Sequence, residues 1–168
     1  MDIPIKIMQG GNCLTIQSHI NSDVFNSVDS DKLEIINVQE SVLDENDLKI
    51  INGYFKINKK PRLQVENWQI PFLPEVESFL IWYYSEEAID LLSNNTVRKL
   101  TFVHEQETKK KSDLTKLLIF KDTLEKLYFA HGGNYTNLEI TLNGLKKLKT
   151  LALEGFKIDR NIHLGRTN

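Results

Sequence analysis

One six-residue pattern comes back along this chain, and it limits the architecture more than any other feature. VRKLTF begins at Val97, LEKLYF at Leu124 and LKTLAL at Leu148. In each copy the first, fourth and sixth places are apolar: Val97, Leu100, Phe102; Leu124, Leu127, Phe129; Leu148, Leu151, Leu153. The last two of each triplet are two residues apart. That is the period of a strand, so they point to one face while the residues between them point to the other. VESFLI, from Val76, reads as a weaker fourth copy and RLQV, from Arg62, as a degenerate fifth.

The segments between the hexamers must carry the chain back to start the next strand beside the last. SEEAIDLLSNN, from Ser85, clusters Ala88, Ile89, Leu91 and Leu92 behind a serine start, which predicts a short helix. SDLTKLLIFKD, from Ser112, sets Leu114, Leu117, Leu118 and Phe120 behind a Ser/Asp cap, whereas NLEITLNGLKK is too mixed to assign. Strands joined by such crossovers run parallel, because a tight hairpin would reverse the chain. A single unit of this kind cannot bury its own apolar edge, so neighbouring copies are expected to stack.

On these residues, 76 to 153 resemble the leucine-rich repeat family, whose pattern is L-x-x-L-x-L-x-x-N-x-L. Where the family has its asparagine this chain has Glu105, Gly132 and Phe156, so the repeats would be irregular, of the bacterial kind. The expected fold is therefore α/β: an irregular leucine-rich-repeat-like solenoid with a parallel β-sheet, short helical or extended returns and a β-rich N-terminal cap. A compact α+β domain with three similar strands would show the same hexamers.

A length of 168 residues suits one domain. Its expected parts are a cap over 1–60, repeats over 61–155 and a short flap over 156–168. In the cap, IPIKIM, CLTIQS, LEIINV and LKIINGYFKI read as β-rich runs, separated by Gly10-Gly11, by NSDVFNSVDSD and by DENDLK, with Asn52-Gly53 as a tight turn. Beyond Leu153 only Phe156, Ile158, Ile162 and Leu164 remain to cover the last strand. An open strand edge is a template for pairing, so a weak homodimer through the C-terminal sheet edge is expected.

Chemistry is hard to find along the chain. His104-Glu105-Gln106-Glu107 begins like a zinc helix, but the second histidine that HExxH needs is replaced by Thr108. His19, His104, His131 and His163 have no ligand-spaced companion, so neither a metal site nor a cofactor is expected. His131-Gly132-Gly133-Asn134 lacks the lysine and spacing of a phosphate loop and reads as a turn. Cys13 is the only cysteine; it cannot form an internal bridge, which suits a reducing compartment. The N-terminal segment has no apolar run of signal-peptide length and no stretch is long enough to span a membrane. A cytoplasmic protein is expected. The formal charge of −2 gives no general attraction to nucleic acid or to anionic lipid, and neither is expected as a partner.

If Leu100, Phe102 and their equivalents face inward, the residues between them form an exposed face. The expected contact residues are Trp82, Tyr84, Lys99, Thr101, Val103, Lys126, Tyr128, Thr150 and Glu154, aromatic side chains being common in binding hot spots. The functional expectation is a non-enzymatic protein-binding module. A small repeat protein of this type is similar to the immunity proteins of bacterial contact-dependent and polymorphic toxin systems, and that resemblance implies a cognate toxin domain as partner. The alternatives are a structural or adaptor repeat protein without a toxin partner, and a small hydrolase using His104 or His131.

Overall fold

A computed structural model describes residues 5–8, 11–38, 43–65, 72–103 and 111–154. The chain divides into two compact units: Met1–Leu80 with Asn94–Thr96, and Ile81–Ser93 with Val97–Asn168.

The first unit starts with β1 (Ile5–Met8) antiparallel to β2 (Gly11–Ile16). Next come β3 (Leu33–Val38), helix α1 (Glu45–Ile57), β4 (Arg62–Val65) and β5 (Ser78–Ile81). The pairs β2–β3, β3–β4 and β4–β5 are all parallel. Leu14, Ile16, Leu33, Ile36, Val38 and Leu63 are buried along these strands, and Ile51 and Phe55 of α1 are buried with them. Because a parallel strand needs a crossover, each must be reached by a return. From β2 to β3 this is a run of turns over residues 22–32, and from β3 to β4 it is α1.

The second unit contains α2 (Glu86–Leu92), β6 (Lys99–Phe102), a short β7 (Ser112–Asp113), a 3₁₀ helix (Leu114–Phe120) and β8 (Lys126–Phe129). After these come β9 (Tyr135–Thr136), α3 (Leu138–Gly144) and β10 (Thr150–Leu153). Strands β6, β8 and β10 are parallel, with Leu100 opposite Leu127 and Leu127 opposite Leu151. Leu100 and Leu127 are buried, and truncating Leu127 to alanine would cost about 2 to 5 kcal/mol through lost burial and the cavity left behind. Phe102 and Phe129 lie side by side at 4.8 Å, and Tyr84 and Tyr135 meet them edge-on or tilted. Such ring pairs add packing energy beyond their buried area.

Several expectations need correction. The strands of the first unit stand in the order β1-β2-β3-β4-β5 and those of the second in the order β6-β8-β10, chain order in each. The described part of segment 1–60 supplies ladder strands and helix α1 rather than a β-rich cap. Among the described residues the returns are a run of turns, a 13-residue α-helix, two 7-residue α-helices and a 7-residue 3₁₀ helix, so the return is not of one kind. What forms in each unit is a largely parallel α/β ladder with linear strand order, not a leucine-rich-repeat-like solenoid. The reason is that only the strand hexamer recurs, and alternating burial produces that hexamer in any half-buried strand.

LKIINGYFKI is helix rather than strand, with Asn52-Gly53 inside α1. Its buried Asp47, Ile51 and Phe55 recur at four-residue intervals, a helical spacing, and Asp44 and Asp47 form a capping box that fixes the start. NLEITLNGLKK contains α3, entered from Asn137 at φ 62°, a left-handed conformation that asparagine tolerates better than most residues. The C-terminal flap expected over 156–168 lies outside the described residues, and the sheet edge expected to pair with a second copy is the described strand β10.

A candidate active site at His19

The site is built where the chain leaving β2 meets the start of α1. Asp44 is the N-cap of α1 in extended backbone conformation, and its Oδ1 accepts the Asp47 N–H at 2.9 Å. In return Asp47 Oδ2 accepts the Asp44 N–H at 2.9 Å. This reciprocal pair satisfies two of the N–H groups that a helix start leaves without partners. Asp47 goes further than the cap requires. Its Oδ1 accepts the Ile20 N–H at 2.8 Å, and its Oδ2 lies 2.7 Å from His19 Nδ1.

The two partners differ sharply in exposure. The Asp47 side chain is 1% exposed and that of His19 is 61% exposed. Burial pushes the Asp47 carboxyl upward, but the N–H groups of Asp44 and Ile20 and the His19 ring outweigh it, so its pKa lies below the usual aspartate value. Asp47 is therefore an anion at neutral pH and can only accept hydrogen bonds. It follows that His19 Nδ1 carries the proton, and in the neutral ring the lone pair is on Nε2. The hydrogen bond and the charge of Asp47, with a smaller contribution from Asp44, raise the His19 pKa above its ordinary value.

Asp44 Oδ2 lies 3.4 Å from the same Nδ1. Among the described residues, His19, Asp44 and Asp47 are the group whose ligand atoms converge, all within 4.8 Å of one another. The arrangement can do two things: orient an imidazole for proton transfer, or offer one nitrogen and two carboxylate oxygens to a cation.

None of these three residues was singled out from the sequence as a site. His19 and Asp47 are 28 positions apart, and a search for histidines with ligand-spaced companions cannot see a contact made through a loop. The only local signal is the Asp-x-x-Asp of the capping box, within DENDLK, which had been read as a separator. Of the two histidines considered for a hydrolase, His131 is exposed in the second unit and His104 lies outside the described residues, as does His163. Cys13 is buried, with Thr15 Oγ1 3.9 Å from its sulfur.

The residues expected on an open sheet face are placed as follows. Lys99, Thr101, Val103, Lys126, Tyr128 and Thr150 are half-buried and Glu154 is exposed, all on the strands of the second unit or just beyond them. Trp82 is 43% exposed. Tyr84 is not on that face: it is 1% exposed, and its O–H donates to the Asp113 carbonyl at 2.6 Å. IWYY is apolar on both faces, so alternation alone could not fix which ring turned inward.

No family model matches the chain, and neither a curated protein nor a solved structure does. The resemblance to leucine-rich repeat immunity proteins is thus corrected on two counts: among the described residues the strands stand in linear order with returns of several kinds, and no family match supports it. The non-enzymatic, toxin-binding reading is corrected as well, because the His19, Asp44 and Asp47 cluster has the geometry of a catalytic or metal-binding group. Among the described residues, no helix is long and apolar enough to cross a membrane.

Proposed function

We propose that the protein is a small hydrolase whose proton-transfer group is His19. The observation that carries this reading is the 2.7 Å contact between His19 Nδ1 and the buried Asp47 carboxylate. A cap needs no histidine, and an exposed histidine gains little stability from being held. Fixing the ring does, however, set the tautomer and increase the basicity of Nε2. In the proposed step Nε2 takes a proton from water as the water oxygen attacks a carbonyl or phosphoryl centre. Asp47 stabilises the resulting imidazolium, which returns the proton to the leaving group.

A second reading is favoured by Asp44 Oδ2, which brings a third ligand atom to the same point. Loss of the Nδ1 proton would let His19, Asp44 and Asp47 hold a divalent cation such as Zn²⁺ or Mn²⁺ and leave positions open for water. The cation would then supply the activated water of metal-assisted hydrolysis. The absence of an internal disulfide partner for Cys13 supports a cytoplasmic setting.

The test is a hydrolysis screen with chromogenic esters and phosphoesters, run with and without added Zn²⁺ or Mn²⁺, on the wild type, His19→Ala and Asp47→Asn. The expected result is turnover that His19→Ala abolishes and Asp47→Asn reduces by roughly two orders of magnitude or more. Nitrogen-15 spectra of the imidazole should show Nδ1–H in the wild type. A ring carrying its proton on Nε2, together with turnover indifferent to His19→Ala, would refute the proposal. Asp44→Asn separates the readings, since it should weaken cation binding and leave metal-free turnover nearly unchanged.

A further inference from the structure

On the sheet of the second unit, two neighbouring rows of side chains carry charge in opposite ways. At the foot of the strands the Glu125 carboxylate sits between Arg98 Nη1 at 3.4 Å and Lys149 Nζ at 3.5 Å. Positive, negative and positive charges alternate there, just ahead of the three strands, and the carboxylate offsets the repulsion between its two cationic neighbours while one net positive charge remains. One residue further along, Lys99 is directly opposite Lys126, and Lys126 is opposite Thr150. Adjacent strands are about 4.8 Å apart, and residues opposite one another share a face. The two lysines are therefore cross-strand neighbours on one face, and neither makes an ion pair among the described residues. The next row holds Thr101 opposite Tyr128, both half-buried.

Like charges directly opposite one another destabilise a sheet, and a single carboxylate at either position would remove the conflict, as Glu125 does in the row below. Leu100, Phe102, Leu127 and Phe129 are buried, so alternation turns the two lysines, Thr101 and Tyr128 together onto the opposite face. Around the two lysines that face is locally cationic and carries hydroxyl donors, with the exposed Glu154 just beyond the end of β10.

We propose that Lys99 and Lys126, with Thr101, Tyr128 and Thr150, form a docking site for a short acidic segment of another protein. Charge complementarity carries the choice of occupant. Side-chain carboxylates offset the repulsion between the lysines and accept hydrogen bonds from the three hydroxyls. A nucleic acid is a poorer fit, because its long run of phosphates feels the net charge of the whole chain, which is −2. An acidic peptide of a few residues feels mainly the local positive field, since charges beyond about 8 Å are screened at physiological salt.

The test uses the full chain and a fluorescein-labelled peptide rich in glutamate, read by fluorescence anisotropy at low ionic strength. Expected is saturable binding that weakens as salt rises, and that Lys126→Glu weakens by roughly tenfold or more. Lys126→Glu should at the same time hold or raise the melting temperature, since Lys99 gains an opposite charge across the ladder. Loss of binding with retained stability is what a docking role predicts and a structural role does not. Lys99→Gln should give a smaller loss in the same direction. No binding of the peptide by the wild type would overturn the proposal, as would equal binding by Lys126→Glu. Tighter binding of a thymidine oligonucleotide of the same charge would overturn it in favour of a nucleic-acid surface.

Discussion

Asp47 and Asp113 each accept hydrogen bonds at the start of a helix, and they do it with different company. In the first unit Asp47 completes the cap of α1 and accepts from the Asp44 N–H, the Ile20 N–H and the His19 ring. In the second unit Asp113 caps the 3₁₀ helix, and its Oδ1 accepts from the Thr115 N–H, the Thr115 hydroxyl and the Asn137 amide. Both carboxyls lie below the usual aspartate value. For Asp47 burial opposes the shift and its hydrogen bonds outweigh that; for Asp113 the Thr115 N–H contributes most. The partners of Asp113 are neutral at every ordinary pH, while one partner of Asp47 titrates. Capping and one amide link to Asn137 account for the side-chain contacts of Asp113. Neither role explains a titrating histidine on Asp47, and that surplus is what points to chemistry.

The comparison can be broken most easily at the aspartates themselves. Asp47→Ala leaves the Ile20 and Asp44 N–H groups without their acceptor inside the first unit, and should cost about 2 to 4 kcal/mol in urea unfolding. Asp113→Ala removes a more exposed cap and should shift the urea midpoint by less. An equal or larger loss at Asp113 would mean that Asp47 is the more ordinary residue of the two.

Gly53 offers a smaller and opposite effect. It lies inside α1, and a Cβ built there meets nothing within 4 Å. Gly53→Ala should therefore raise stability by about 0.5 to 1 kcal/mol. The gain should survive in an Asp47→Ala background if helix propensity and the cap act independently.

The finest distinction is in pH. Asp47 has a lowered pKa, so its contribution is complete above the ordinary aspartate value and is lost as pH falls through the lowered one. His19 has a raised pKa, so its contribution is complete below the ordinary histidine value and is lost as pH rises through the raised one. Wild-type stability should thus carry a small step on the alkaline side of the ordinary histidine value. His19→Ala should remove that step, leave the acid limb of Asp47 in place and otherwise change stability little. Melting temperatures measured from pH 3 to 9 would show it.

How much of this was legible beforehand differs between the same two regions. In the second unit the strands at Lys99, Lys126 and Thr150 follow from alternation, because burial on one face leaves its period in the sequence. The Ser85 cap of α2 and the Asp113 cap of the 3₁₀ helix were visible as well. In the first unit Asn52-Gly53 looked like a turn and concealed α1, although the capping box and the spacing of Asp47, Ile51 and Phe55 were present. Tertiary packing of that apolar face overrode the local signal. The contact between His19 and Asp47 had no local signal at all, since it depends on where a turn-rich segment lets the chain return.

Tyr84 gives the second unit a reporter of its own. Burial, reinforced by nearby Glu86 and Asp113, drives its phenol pKa far above the ordinary tyrosine value. Of the five tyrosines, this ring should stay dark in an ultraviolet phenolate titration until the packing around Phe102 and Phe129 opens. Alkali above about pH 10 would then favour the unfolded chain, where the proton can leave. The late rise in absorbance would time the collapse of that aromatic cluster without any added label.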